Sequence, residues 1–247
     1  MRLRSNNPVY SRIEKMGLEG VGYEVATYRG ITAKALYFTL VVIAGAFLGL
    51  YLYSTNLNLL VSLLAVSGIV GFISAIISFA FPNATKISGT IYALCEGLLV
   101  GLISFIFEGV FRGIVFTAIL GTVSVLFVVC TLYFTRLVKV NSKFVRFLLL
   151  FSLSMIFCHL TFWILSLIFP STFGPFVQNY QLSVFSSLLM IFLASLYLMF
   201  DLENIRQVVE GGQPKSLEWF AAFGLVYTII WLYLEVLQLI AKLAKDR

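Results

Sequence analysis

Seven long apolar runs constrain this chain more than any motif in it. Crossing the roughly 30 Å hydrocarbon core of a bilayer takes about 20 helical residues, which is the order of length of each run. Lipid offers the backbone no hydrogen-bond partners, so each run must satisfy its own N–H and C=O groups as a helix. The sequence therefore predicts an all-α integral membrane protein with seven transmembrane helices in one bundle, at 33–53, 58–81, 87–107, 113–134, 145–169, 183–201 and 217–243.

The composition excludes an ordinary soluble domain. Charged residues make up 11% of the chain and the mean hydropathy is +1.00, whereas soluble domains carry about a quarter charged residues. The net charge of +6 comes from basic residues that lie mostly between the apolar runs, so nucleic acid is not an expected partner. Residues 1–32 are predicted to form an N-terminal arm and residues 33–247 the transmembrane domain.

The distribution of positive charge predicts the orientation. Thirteen of the 17 lysines and arginines lie on the side of the N-terminus, and cytoplasmic loops carry the excess of basic residues. We therefore expect a multi-pass membrane protein with a cytoplasmic N-terminus. The tail, with Lys242 and Lys245, also looks cytoplasmic, although seven crossings put it outside. Either the tail is tolerated there or the last segment does not cross simply.

Small residues recur every four positions on three predicted spans. Such stripes let helix backbones approach closely in lipid, where no hydrophobic force drives helices together. We assign them to helix packing and to no functional site. They are Gly45 and Gly49 on the first span, Gly89, Ala93, Gly97 and Gly101 on the third, and Gly113, Thr117 and Gly121 on the fourth.

Three carboxylates stand in or beside apolar spans. Glu96 is next to the packing stripe of the third span, Asp201 ends the predicted sixth span, and Glu235 has apolar residues for a full turn on both sides. An ionisable group within the membrane is expensive unless it is paired, protonated or wetted, so each is a candidate site residue. Acids that line a bundle attract cations or titrate as a gate.

Other residues are candidate partners of these acids. Arg206 lies close enough in sequence to pair with Asp201 or with Glu203, and Glu218 opens the last span. His159, the single histidine, stands among aromatic residues, a setting more typical of packing than of a proton relay. No zinc, nucleophile or dinucleotide motif appears, so neither an enzyme nor a cofactor is expected, and no metal-ligand set is assigned.

Three stretches carry a resemblance to a known family. SNNPVYSRI, YALCEGLLVGLISFIFE and VVEGGQPKSLEWFAAFGLVYTIIWLYLEVLQLIAKL resemble the bacterial YccA-like branch of the Bax inhibitor-1 family. The resemblance implies a seven-span fold whose last helix is central and surrounded by the other six. It also implies a pH-sensitive calcium leak in which one acid on the sixth helix and one on the seventh share a proton. These acids match Asp201 and Glu235.

The spacing of these two acids makes a geometric prediction. They are 34 residues apart, so a hairpin near Gly212 leaves an offset of about 18 Å along the helix axes. Either the seventh helix is broken, or a pair forms otherwise, with Glu96, Glu218 or Arg206 as partner.

From the intramembrane acids and the resemblance we expect a leak channel for cations in the bacterial inner membrane, with Ca²⁺ the expected ion, gated by protonation of those acids. The alternative is a non-conducting regulator that binds other membrane proteins, such as a membrane protease complex, through the arm. A secondary transporter is less favoured because no internal repeat is visible. In every case membrane lipid is a partner.

Overall fold

The computed structural model describes residues 24–177 and 179–245, and it is an all-α membrane bundle. Within these residues, seven helices are long and apolar enough to cross a membrane, which confirms the predicted number. A short helix, α6 (Pro170–Val177), stands between the fifth and sixth of them. Residues 1–23 of the predicted arm lie outside the described residues. The spanning helices are α1 (Tyr28–Thr55), α2 (Leu57–Ala80), α3 (Thr85–Val110), α4 (Ile114–Phe134), α5 (Ser142–Ile168), α7 (Tyr180–Glu210) and α8 (Leu217–Lys245).

Two helix limits differ from the predicted ones by five residues or more. Helix α1 begins at Tyr28 because the Thr27 side chain caps it by accepting a hydrogen bond from the Gly30 N–H. Helix α7 continues to Glu210, so Asp201 lies inside a helix and does not end one. The connection between the predicted spans 145–169 and 183–201 contains α6, which starts at a proline, a residue well tolerated at a first helical position.

Helix α8 is the centre of the bundle. It contacts α1, α2, α3, α4 and α7, and half of its most apolar window is buried, against 33% or less in the other spans. It runs unbroken through Gly224, which removes the alternative of a broken last helix. Because α8 is unbroken, its last turn lies at the other end of the bundle from the segment that precedes α1.

Helix α5 departs from the arrangement that the resemblance implies. Its backbone contacts α6 and α7 but, within the described residues, does not reach α8. Only Leu148 and Ser152 are buried on it. The last helix is therefore surrounded by five spans and not six, because a cavity separates α5 from α8.

The glycines of the first and third spans are packing residues, as predicted. A Cβ at Gly97 would lie 2.2 Å from the Val42 carbonyl oxygen, and one at Gly45 would lie 2.5 Å from the Leu94 carbonyl oxygen. The helix backbones of α1 and α3 can meet this closely only without side chains.

The predicted packing stripe on the fourth span is confirmed only at Gly121, where an added Cβ would lie 2.9 Å from Cγ1 of Val236 on α8. Gly113 precedes α4 with a φ of 81° and a Cβ there would contact nothing within 4 Å, while Thr117 is exposed. Helix α4 also buries Ile114, Ala118, Thr122 and Val129, and three of these, Ile114, Ala118 and Val129, pack in clusters with residues of α7 and α8.

The segment before α1 is tied to the loop between α7 and α8. Val25 and Pro214 form an isolated antiparallel bridge, and the Ala26 N–H donates to the Gln213 carbonyl over 2.8 Å. Beside them, the Glu24 carboxylate lies 2.5 Å from the Lys215 ammonium and raises the pKa of that lysine. Both ends of this contact are exposed, so it orients the loop more than it stabilises the fold.

Candidate functional site

A cavity of about 1750 Å³ lies between α5, α7 and α8. We call the half next to the loop 211–216 the near half, and the half towards the end of α8 the far half. The near half carries polar side chains of α7 and α8, whereas the far half is mostly walled by apolar residues of α5 and α7. The near-half polar residues are Asp201, Asn204, Gln207 and Thr228.

Asp201 faces α8 across the near half of the cavity. The Thr228 hydroxyl donates a hydrogen bond of 2.5 Å to its Oδ2. Gly224, one turn earlier on α8, leaves open space beside Oδ1, which a Cβ would approach to 3.3 Å. Among the described residues no ion pair involves Asp201. The result is a half-buried carboxylate that lines a cavity and is held by a hydroxyl, without a basic partner.

Glu235 does not meet Asp201. It accepts a hydrogen bond of 3.1 Å from the Trp231 indole N–H, and it lies seven residues beyond Thr228 on an unbroken helix, about 10 Å along the axis. The side chains of Lys242 and His159 are within electrostatic range of it. The structure therefore separates the two acids that the resemblance pairs.

Glu96 occupies a third place, on α3. It is half-buried and lies within electrostatic range of the hydroxyls of Tyr92 and Tyr227. The ring centroids of these two tyrosines are 5.4 Å apart. It forms no ion pair among the described residues and is not part of the cavity wall. The three candidate acids are thus three separate groups.

Arg206 pairs with Glu203 and not with Asp201. Its Nη2 lies 2.7 Å from the Glu203 carboxylate, which also accepts hydrogen bonds from Tyr133 (2.9 Å) and Gln207 (3.1 Å). Glu203 is buried, so this network joins the end of α4 to α7. The charge of Arg206 is therefore used within the bundle.

Glu218 is also engaged elsewhere. It is 1% exposed, forms a salt bridge with Lys34, and accepts hydrogen bonds from the Thr27 backbone N–H (2.8 Å) and hydroxyl (3.2 Å). Gly30 leaves room for it, because a Cβ there would collide with the Glu218 carboxylate. Glu218 links the start of α1 to the start of α8 and forms no hydrogen bond with Asp201.

His159 and Lys242 border the far half of the cavity. The His159 Nδ1 lies 2.9 Å from the Met155 carbonyl oxygen, and its Nε2 lies 3.0 Å from the Ser186 hydroxyl. The Lys242 ammonium donates to the Ser187 hydroxyl (2.7 Å) and the Ser183 carbonyl (3.1 Å). Sequence reasoning read Lys242 only as part of a charged tail, since its position in the last turn of α8 gave no sign that it turns inward.

A second, smaller cavity of about 450 Å³ adjoins the same part of α7. It shares Phe200, Asn204 and Gln207 with the large cavity and adds Glu203 and Asn141. Polar residues therefore surround the last turns of α7 on two sides, next to the loop that joins α7 to α8. Thr228, Asn204 and Gln207 were missed from the sequence, where uncharged polar residues near a span carry no distinctive signal.

Comparison with known proteins identifies the family. A family model described as Bax inhibitor 1 like matches residues 7–245, nearly the whole chain. No curated protein matches the chain.

Proposed function

This chain belongs to the Bax inhibitor 1 like family, and we propose that it conducts cations, Ca²⁺ first among them, as a slow leak across the bacterial inner membrane. Protonation of Asp201 would regulate the leak. The observation that supports this most is a carboxylate on the wall of a large cavity beside the central helix that has no basic partner among residues 24–177 and 179–245. That this chain belongs to the YccA-like branch of the family stays a prediction.

The chemistry of the near half suits a hard cation. Asp201 offers carboxylate oxygens, and Asn204, Gln207 and Thr228 offer neutral oxygens along the same wall. Ca²⁺ prefers six to eight oxygen ligands, and four side chains supply fewer, so a passing ion would keep part of its water. Such a site favours passage over tight binding, as conduction requires.

Protonation gives this path a direct control. A neutral Asp201 keeps its hydrogen-bonding capacity but loses the charge that attracts a cation. Flux is therefore expected to fall as pH falls through the titration of this group. In this proposal one acid suffices, because Thr228 occupies the place beside Asp201 that a second acid would need.

Calcium flux into proteoliposomes, from mildly acidic to mildly alkaline pH, tests the proposal. Asp201→Asn is expected to flatten the dependence on pH, while Glu210→Gln, an exposed acid on the same helix, should keep the wild-type curve. Glu235→Gln is expected to flatten it less than Asp201→Asn, because Glu235 is not part of the cavity wall. A wild-type pH curve in Asp201→Asn would show that the sensor is wrongly assigned.

A non-conducting regulator of other membrane proteins is the second candidate. It is favoured by the tie between residues 24–27 and the α7–α8 loop, which would let a partner on the arm act on the central helix. The family match begins at residue 7 and so includes most of the arm. An absence of flux from wild-type protein at every pH would favour this regulator, and deletion of residues 1–23 should then remove its function while leaving thermal stability unchanged.

A further inference from the structure

The polar groups in the far half of the large cavity are largely satisfied by one another. His159 is hydrogen-bonded to Ser186 and to a backbone carbonyl. Ser152 donates to the Leu148 carbonyl and contacts the Tyr197 hydroxyl at 3.0 Å. Water in this half would find few free partners, and ordered water needs two to four of them.

The remaining wall of the far half is apolar. It is formed on α5 by residues such as Met155 and Leu160, and on α7 by residues such as Phe185 and Leu189. An empty apolar space forfeits the dispersion contacts of its lining. Because α5 stands away from α8 and is exposed along most of its length, the surrounding acyl chains are the apolar material at hand.

One charged group marks the end of this space nearest the membrane surface. The Lys242 ammonium has three N–H donors, and two are used by Ser183 and Ser187. Glu235 is within electrostatic range, but no acid forms a salt bridge with Lys242 among the described residues. A donor and much of a positive charge are left for an anion at this depth.

We propose that the far half of the cavity binds one phospholipid with an anionic headgroup, its acyl chain between α5 and α7 and its phosphate on Lys242. The apolar wall supplies the affinity for the chain, and the lysine supplies the preference for negative charge. This site can be tested apart from the proposed leak, because its binding residues lie in the opposite half of the cavity from Asp201.

Native mass spectrometry of the full chain tests the site directly. The protein is delipidated, exposed to an equimolar mixture of phosphatidylglycerol and phosphatidylethanolamine in detergent, and its bound lipids are counted. Wild type is expected to retain one phosphatidylglycerol. Lys242→Gln should reduce the preference for phosphatidylglycerol about five-fold, whereas Lys245→Gln, an exposed lysine one turn later, should leave it unchanged.

A second pair of variants tests the chain-binding part. Leu189→Trp places extra bulk on the cavity wall where the acyl chain would lie and should reduce lipid retention, while Leu188→Trp, at an exposed neighbour outside the cavity wall, should not. Equal retention in both tryptophan variants, or equal lipid preference in both lysine variants, would overturn the proposal. Flux is not part of the readout, so failure of the leak mechanism would not affect this test, nor would failure here affect the leak.

Discussion

Substitution of Gly97 by alanine is the sharpest test of how α1 and α3 are held together. An ideal Cβ at Gly97 lies 2.2 Å from the carbonyl oxygen of Val42 on α1, and ordinary van der Waals contact begins near 3.4 Å. The obstructing atom belongs to the backbone, so no side-chain rotation can relieve the collision. The two helices would have to separate locally by about 1 Å.

The size of the effect follows from two opposed terms. Alanine is favoured over glycine within a helix by about 1 kcal/mol, whereas overpacking a close contact costs about 1–3 kcal/mol. Gly68 on α2 isolates the first term, because a Cβ there meets nothing within 4 Å. Gly97→Ala should therefore be less stable than Gly68→Ala by about 1–3 kcal/mol, or roughly 2–12 °C in melting temperature for a chain of this size.

Thermal unfolding in one detergent, followed by tryptophan fluorescence, measures this difference. The comparison between two Gly→Ala variants cancels the change in helix propensity and leaves the packing term. If Gly97→Ala melted at or above the temperature of Gly68→Ala, the close approach of α1 and α3 would be refuted.

Two further predictions concern other parts of the bundle. Glu218→Ala should destabilise the protein by about 3–5 kcal/mol, because Lys34 would lose its partner in a largely buried place. Lys215→Ala, the control, should leave the melting temperature unchanged. Equal melting temperatures for the two variants would contradict the role of Glu218. A lipid-soluble maleimide should modify Cys158, which is exposed on the wall of the large cavity, before Cys95 and Cys130. The order of labelling, measured by peptide mapping, checks that α5 is separated from α8.

The seven spans could be predicted because hydropathy and the need to satisfy the backbone in lipid act on each run separately. The limit of α7 could not. After Asp201 this helix continues through polar residues that satisfy one another, as in the pairing of Glu203 with Arg206. A hydropathy reading stops where the apolar residues stop, although the helix does not.

The candidate site divides in the same way. The cost of charge in a membrane made three acids predictable as candidate site residues: Asp201, Glu235 and Glu96. Their partners depend on which helices are neighbours, and this is a property of the whole bundle. Glu218 shows the limit most clearly, since Lys34 is 184 residues away in sequence.

The unbroken course of α8 has a mechanical consequence. Its 29 residues make a rod about 43 Å long, longer than the hydrocarbon core it crosses. One end is anchored by Glu218 to Thr27 before α1 and to Lys34 within it, and the other presents Lys242 to α7. Because α8 has no break, a small tilt or axial displacement at one end is transmitted to the other. A force applied to the arm would therefore displace the end of α8 at the opposite face of the membrane.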